Sequence, residues 1–210
     1  MVGAYGYLAY LLLTFDRYDQ LISSFQNLTI SRWFLLIAAF LLMPVNWGVE
    51  AWKWETVTCN LQRLTFGSAY KAVLMGLASG FFTPNRICDP VGRVMPLDEG
   101  NKGKGVMLSF VCTAAQSFAC VCFLLISLSI GSLPQFLSVS SVVLVSVAIV
   151  AYLTLPLWGK YVSIPKAPVI DNAFRAMDEV SYPLLLSVSS ESILRFAIYS
   201  TQYYLMLLFM

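Results

Sequence analysis

The stretch Gly80-Phe-Phe-Thr-Pro-Asn-Arg-Ile-Cys-Asp-Pro-Val-Gly-Arg93 interrupts a chain that is otherwise mostly apolar. It contains two prolines, two glycines, two arginines and an aspartate, so broken backbone and ionisable groups occur together. Next to lipid both features need compensation, because unsatisfied backbone groups and unpaired charges are costly there. We therefore expect the functional site in or near this stretch.

The rest of the chain has the composition of an integral membrane protein. Of its 210 residues 59% are hydrophobic and 11% charged, whereas a soluble domain has about 25% charged residues. The net charge of +2, without a basic helix, argues against nucleic-acid binding. Because the chain has no histidine and its five cysteines form no Cys-x-x-Cys pair, we predict no metal, no cofactor and no enzymatic reaction.

The apolar segments predict an all-α fold, a polytopic transmembrane helical bundle of about five to six membrane segments in a single domain over residues 1–210. Segments of spanning length are Trp33–Trp52, Val106–Ile130, Gln135–Trp158 and Ser190–Met210. The apolar run Val2–Phe15 is shorter than the roughly 20 residues that a span needs. The chain stops inside an apolar segment at Met210, so we expect a fragment of a longer protein.

Three further segments are predicted to be non-spanning. Residues 68–82 are apolar but short and end in Thr-Pro-Asn-Arg, which favours a re-entrant half-helix over a full span. Residues 53–69 are predicted to form a polar connection. Residues 156–183 are predicted to form a polar loop with a short surface helix over Ala173–Val180.

The distribution of lysine and arginine predicts the orientation. The loops 84–104 and 159–182 are basic, whereas the turn 131–134 has no basic residue. Cytoplasmic loops carry the excess of these residues, so both basic loops are predicted to be cytoplasmic and the turn periplasmic. A re-entrant segment at 68–82 adds Lys53, Arg63 and Lys71 to the cytoplasmic side.

Polar residues recur on one face of each of three predicted helices, and each face has two interpretations. Asn46, Glu50 and Lys53 share an arc, which is either a helix end whose charges reach water or an inward face on a cavity. Glu191 and Arg195, four residues apart with Gln202 in the same arc, form either a simple ion pair or a cavity face. A third stripe marks either helix packing or a polar cleft; it consists of Ser109, Thr113, Gln116, Cys120 and Ser127.

Two stretches resemble a known family: Asn46-Trp-Gly-Val-Glu-Ala-Trp-Lys-Trp54 and Tyr70-Lys-Ala-Val-Leu-Met-Gly-Leu-Ala-Ser-Gly-Phe-Phe-Thr-Pro-Asn-Arg-Ile-Cys-Asp-Pro-Val-Gly-Arg93. They resemble the lysylphosphatidylglycerol synthase transmembrane-region family, in its Bacteroidetes-type branch. The resemblance implies a bundle of roughly eight helices with re-entrant pieces, of which this chain would be the first two-thirds. The family's best-known members flip aminoacylated phospholipids across the cytoplasmic membrane. Its polar motif positions correspond to Asn46, Glu50, Lys53, Thr83, Pro84, Asn85, Arg86 and Arg93.

The chain departs from the family at one place. The family usually reads Ile-Gly-Glu-Phe/Tyr-Gly-Gly-Arg, and this chain has Ile-Cys-Asp-Pro-Val-Gly-Arg over 87–93. Asp89 keeps a carboxylate, but Cys88 replaces a glycine, and a cysteine would be strained wherever the backbone needs a positive φ. This departure favours an inactive remnant as one alternative.

The favoured hypothesis is a multi-pass protein of the bacterial inner membrane that translocates a phospholipid or a lipid-linked head group. Arg86 and Arg93 would hold a phosphodiester, Glu50 and Asp89 would attract a cationic head group, and Gln116 and Gln202 would line the path. The alternatives are a non-catalytic scaffold or accessory subunit of an envelope-lipid or polysaccharide enzyme, and a membrane-embedded enzyme. The predicted head-group site consists of Asn46, Glu50, Lys53, Thr83, Asn85, Arg86, Asp89, Arg93, Gln116, Glu191, Arg195 and Gln202.

Overall fold

All regular elements of the described residues are helices. The computed structural model describes residues 6–7, 10, 13–14, 29–130, 146–147, 149–157, 177 and 180–209. The longer elements are α1 (Ile30–Thr58), α2 (Phe66–Phe81), α3 (Asp89–Arg93), α4 (Lys102–Ile130) and α5 (Tyr182–Phe209), with single 3-10 turns at Pro84–Arg86 and Glu99–Asn101. The predicted all-α class is confirmed for this part of the chain.

Two of these helices are long and apolar enough to cross a membrane. They are α1 and the stretch Glu99–Ser127, which covers most of α4; each has 29 residues. A helix of this length extends about 44 Å, more than the ~30 Å hydrocarbon core of a bilayer. Most of Val2–Phe15 and Gln135–Trp158 lies outside the described residues, and so does most of Ala173–Val180. The total of five to six membrane segments therefore stays a prediction.

Helix α1 is longer than predicted. It continues through Thr58, so the connection to α2 is only Cys59–Thr65, and the prediction of a polar connection beginning at residue 53 is wrong. The physical reason is burial. Lys53 and Trp54 are 1% and 0% exposed, and packing on both sides favours one more helical turn in spite of the polar sequence.

Helices α2 and α3 form a tight hairpin. At 16 residues, α2 extends about 24 Å, which is too short to span the hydrocarbon core. The chain then reverses through Pro84–Arg86 and returns as α3 against α2. A Cβ on Gly92 would lie 2.2 Å from Ser79 Oγ, so a glycine there permits the close approach. Ser79 Oγ also donates a hydrogen bond to the carbonyl of Cys88 at 2.9 Å.

The two ends of this hairpin lie close together. Gln62 Oε1, just before α2, accepts hydrogen bonds from Asp98 N at 3.0 Å and from Asn101 Nδ2 at 3.4 Å. Asp98 and Asn101 lie just after α3, before α4 begins. The chain therefore enters and leaves the hairpin at neighbouring positions; the re-entrant half-helix at residues 68–82 stays a prediction.

Helix α5 begins at Tyr182, eight residues earlier than predicted. Pro183 lies in the first turn, where the missing N–H is tolerated because it would have no helical partner. The prediction that a loop extends to Pro183 is therefore wrong at its end. The early start buries Leu185 and Val188.

The chain divides into two compact units. One comprises Met1–Met43 and Thr201–Met210, and the other comprises Pro44–Ser200. The core of the second unit is formed by α1, α2, α4, α5 and part of the 149–157 segment; its buried side chains include Ala51, Trp54, Val73, Leu108, Val111, Tyr152 and Val188. The polar cluster described next lies within this second unit.

Candidate functional site

The buried carboxylate of Glu50 is surrounded by three cations. Glu50 lies on α1 and is 2% exposed. Its Oε2 lies 2.7 Å from Lys53 Nζ and 3.0 Å from an amino nitrogen of Arg195, and its Oε1 lies 2.5 Å from an amino nitrogen of Arg93. The structure thus confirms the inward-facing interpretation of the Glu50 face. The alternative, a helix end whose charges reach water, is wrong.

The two arginines of this cluster are held by further partners. Arg93 donates to both oxygens of Asp89, at 2.9 Å and 3.3 Å, and such a two-pronged contact fixes the guanidinium plane. Arg195 donates to Asn46 Oδ1 at 3.0 Å and to Gln116 Oε1 at 3.2 Å. The cluster therefore joins α1, α3, α4 and α5.

Glu191 is not the partner of Arg195, although the two residues are one helical turn apart on α5. Glu191 Oε1 accepts hydrogen bonds from Thr56 Oγ1 at 3.0 Å and from Ser187 Oγ at 3.3 Å, and its Oε2 is buried without a hydrogen-bond partner among the described residues. Of the two interpretations of this arc, the simple ion pair is therefore wrong. Arg195 points to Glu50 instead, since that carboxylate lies in the centre of the cluster.

A polar cavity of about 400 Å³ lies beside the cluster. Six charged side chains line it, four of them cationic: Lys53, Arg86, Arg93 and Arg195, with the carboxylates Glu50 and Asp89. The wall thus has an excess of two positive charges. Ser109 Oγ on α4 belongs to the same wall and is buried without a hydrogen-bond partner in the described part of the chain, so its hydroxyl group can hydrogen-bond to a ligand.

Arg86 is the cation of this wall that makes no ion pair with another described residue. It is exposed, and its backbone φ is 56°, next to Asn85 with φ 53°. Positive φ is uncommon for a residue with a long side chain, and such strain clusters at binding sites. Thr83 holds the turn, because its Oγ1 accepts a hydrogen bond from Cys88 N at 3.3 Å.

Cys88 itself is unstrained. Its φ is −85°, so the expectation of a cysteine forced into a glycine conformation is wrong. Among the described residues other than glycine, the left-handed positions are 85 and 86, three and two residues before Cys88. An asparagine at 85 tolerates this conformation because its short polar side chain forms local hydrogen bonds.

Most of the predicted site residues lie together. Eight line the polar cavity: Glu50, Lys53, Asn85, Arg86, Asp89, Arg93, Gln116 and Arg195. Asn46 contacts Arg195, and Thr83 supports the turn. Glu191 lies outside the cavity wall and accepts a hydrogen bond from Thr56. Gln202 belongs to the other compact unit, where it lines a separate apolar cavity of about 170 Å³.

Helix α4 contributes four residues to the cavity wall that were not among the predicted site residues: Ser109, Phe110, Cys112 and Thr113. Ser109 and Thr113 belong to the polar stripe of α4, which supplied the signal. The stripe serves the cavity only in its first half, because Cys120 and Ser127 are exposed. The sequence pattern could not identify Phe110 and Cys112 as cavity-lining residues, since apolar residues are expected everywhere in such a helix.

Comparisons of the chain with protein-family models, with curated proteins and with solved structures found no match.

Proposed function

We propose that this protein binds the anionic head group of a membrane phospholipid in the polar cavity and moves it across the bacterial inner membrane. One observation carries the proposal: the cavity wall has four cations and two carboxylates, and one of the cations, Arg86, is exposed and has no ion-pair partner among the described residues. A guanidinium group matches a phosphodiester in charge and in hydrogen-bond geometry. The motif resemblance to the lysylphosphatidylglycerol synthase transmembrane region supports the same substrate class.

Each polar group of the wall has a distinct part in this proposal. Arg86 contacts the phosphate, and the Ser109 hydroxyl adds a hydrogen bond. Glu50 already contacts three cations of the protein, so it orients the wall and does not attract a cationic head group. Asp89, whose side chain is 19% exposed, is the carboxylate for an aminoacyl amine.

The proposed membrane arrangement is multi-pass, with the α2–α3 hairpin re-entering from the cytoplasmic side. The hydrogen bonds of Gln62 to Asp98 and Asn101 support this arrangement, because they hold both ends of the hairpin on one side. The loops 84–104 and 159–182 are then cytoplasmic, and the turn 131–134 is periplasmic. Arg93 is buried, so the charge bias of the loop 84–104 comes from Arg86, Lys102 and Lys104.

The test is head-group transfer in liposomes that contain a fluorescent phosphatidylglycerol. Purified protein should make inner-leaflet lipid accessible to an impermeant quencher, and Arg86→Ala should abolish this transfer. Lys71→Ala is the matched control, because Lys71 is an exposed cation on α2 outside the cavity wall. Equal transfer by wild type and Arg86→Ala would remove Arg86 from the mechanism.

A membrane scaffold or accessory subunit of an envelope-lipid enzyme is the second candidate function. The ion pair between Asp89 and Arg93 favours it, since it fixes the broken backbone without any ligand. Under this function the protein should co-purify with an enzyme of envelope lipids and show no transfer in liposomes. Arg86→Ala should then leave the co-purification unchanged.

A further inference from the structure

A second, larger cavity adjoins the polar one. It measures about 590 Å³, within the range of about 300–1,000 Å³ that holds small ligands, and its wall is almost entirely apolar. Helix α4 contributes Met107, Val111, Ala114 and Phe118, and the 149–157 segment contributes Ala151, Tyr152 and Leu155. The rings of Phe118 and Tyr152 stack with their centroids 4.7 Å apart, so this wall is well packed.

Phe110 belongs to the walls of both cavities. At about 100° per residue, Ser109, Cys112 and Gln116 lie on the face of α4 toward the polar cavity, and Val111, Ala114 and Phe118 lie on the face toward the apolar one. Phe110 lies between these faces and is 52% exposed. The helix therefore separates a cationic compartment from a hydrocarbon-like compartment, and Phe110 is their shared boundary.

We propose that the two cavities form one binding site for a single amphiphile, with its anionic head group in the polar cavity and one acyl chain inside the apolar cavity. The proposal rests on the function proposed above and adds that one chain is enclosed by protein while the head group is bound. Charge complementarity selects the head group, and because Phe110 lines both cavities, a ligand that fills both must join an anion to a hydrocarbon chain. An anion alone leaves the larger cavity unused, and a hydrocarbon alone leaves the four cations unused.

The experiment measures binding and not transport. Monoacyl phosphatidylglycerols with acyl chains of increasing length are titrated into the protein in phosphatidylcholine nanodiscs, with empty nanodiscs subtracted. Glycerophosphoglycerol and inorganic phosphate serve as probes without a chain. Expressed against the concentration of free lipid in water, we expect binding to strengthen roughly fourfold for each added methylene until the cavity is filled, and a plateau beyond that length.

A larger side chain inside the apolar cavity should lower the acyl-chain length at which the affinity stops increasing. Ala151→Phe adds a ring from the 149–157 segment, and Ala114→Leu fills the same cavity from α4 if the first variant does not fold. Both should bind glycerophosphoglycerol as wild type does. Leu153→Phe is the control, because Leu153 is half-exposed and belongs to neither wall.

The outcomes separate this inference from the proposed function. Two results would contradict an acyl chain bound inside the apolar cavity. One is a plateau at the same chain length in wild type and in both filling variants, and the other is a chain-length dependence equal to that of empty nanodiscs. Equal binding of inorganic phosphate and of the long-chain lipids would reduce the site to an anion site. A dimer that Ala151→Phe dissociates, with an unmoved plateau, would assign the cavity to a second copy. In a further outcome, the filling variants shift the plateau while the protein shows no lipid transfer in liposomes. That result would support the binding site and contradict only the proposed translocation.

Discussion

Glu50 holds the cluster together, because its carboxylate contacts Lys53, Arg93 and Arg195 at once. Without it, Arg93 keeps Asp89, but Lys53 and Arg195 keep only neutral partners among the described residues. Removing one partner of a buried ion pair costs about 3–5 kcal/mol, since the remaining charge stays buried. Glu50→Gln should therefore lower the free energy of unfolding by this amount, measured by thermal unfolding in detergent.

The matched control for Glu50 is Glu99. It forms an ion pair with Lys102, also three residues along the chain, but its side chain is 89% exposed. Exposed pairs contribute at most about 1 kcal/mol, so Glu99→Gln should unfold within a few degrees of wild type. Similar losses for both variants would show that the burial of Glu50 is not the source of its effect.

Arg86 offers a way to separate function from stability. Its φ of 56° costs a residue with a Cβ about 1–3 kcal/mol, whereas a glycine adopts this conformation freely. Arg86→Gly should therefore unfold at the same temperature as wild type or a higher one, and it should lose glycerophosphoglycerol binding. A lower unfolding temperature would assign a structural role to the Arg86 side chain.

At the scale of elements, the α2–α3 hairpin depends on glycines at the points of contact. A Cβ on Gly92 would lie 2.5 Å from the carbonyl oxygen of Met75, and a Cβ on Gly76 would lie 2.3 Å from Asp89 Oδ1. Overpacking of this kind costs about 1–3 kcal/mol, so Gly92→Ala and Gly76→Ala should each destabilise the protein in thermal unfolding. Gly76→Ala should also weaken the binding of phosphatidylglycerol, because a Cβ there would lie 2.7 Å from Arg93 Cγ and would displace a cation of the cavity wall.

Gly67→Ala is the control on the same helix. No described neighbour lies within 4 Å of the position that a Cβ on Gly67 would occupy, and an alanine is favoured over a glycine in a helix by up to about 1 kcal/mol. This variant should be as stable as wild type or more stable. A loss equal to that of Gly92→Ala would point to a general sensitivity of α2 and not to the hairpin contact.

The sequence predicted the elements better than their ends. The lengths of their apolar segments were sufficient to identify α1, α2 and α4, because the length and the periodicity of apolar residues can be read from neighbouring positions in the sequence. The extension of α1 through Lys53 and Trp54 was not predictable, since it depends on burial by α4 and α5. The arc of Asn46, Glu50 and Lys53 left a helix end and a cavity face equally open, and its partner Arg195 lies too far along the chain for spacing to reveal the contact.

At the scale of the whole molecule, the contact of Gln62 with Asp98 and Asn101 makes a prediction about topology. Cys59 is exposed before α2, and Gly100 is exposed after α3 with open space around it. A chain with Cys59 alone and a chain with Gly100→Cys alone should react with an impermeant maleimide from the same side of oriented membrane vesicles. Labelling from opposite sides would mean that the hairpin segment spans the membrane. Cys112, which is 2% exposed, should react from neither side.

The spacing of charges along the chain also has a consequence for each helix before it meets its neighbours. Each of three helices carries a carboxylate and a cation about one turn apart: Glu50 with Lys53, Asp89 with Arg93, and Glu191 with Arg195. A carboxylate and a cation at this spacing can neutralise each other within an isolated helix. In the folded structure, however, Arg195 contacts Glu50, and Glu191 accepts hydrogen bonds from Thr56 and Ser187. Glu191 and Arg195 are therefore the pair that an isolated α5 offers and that the folded protein does not use.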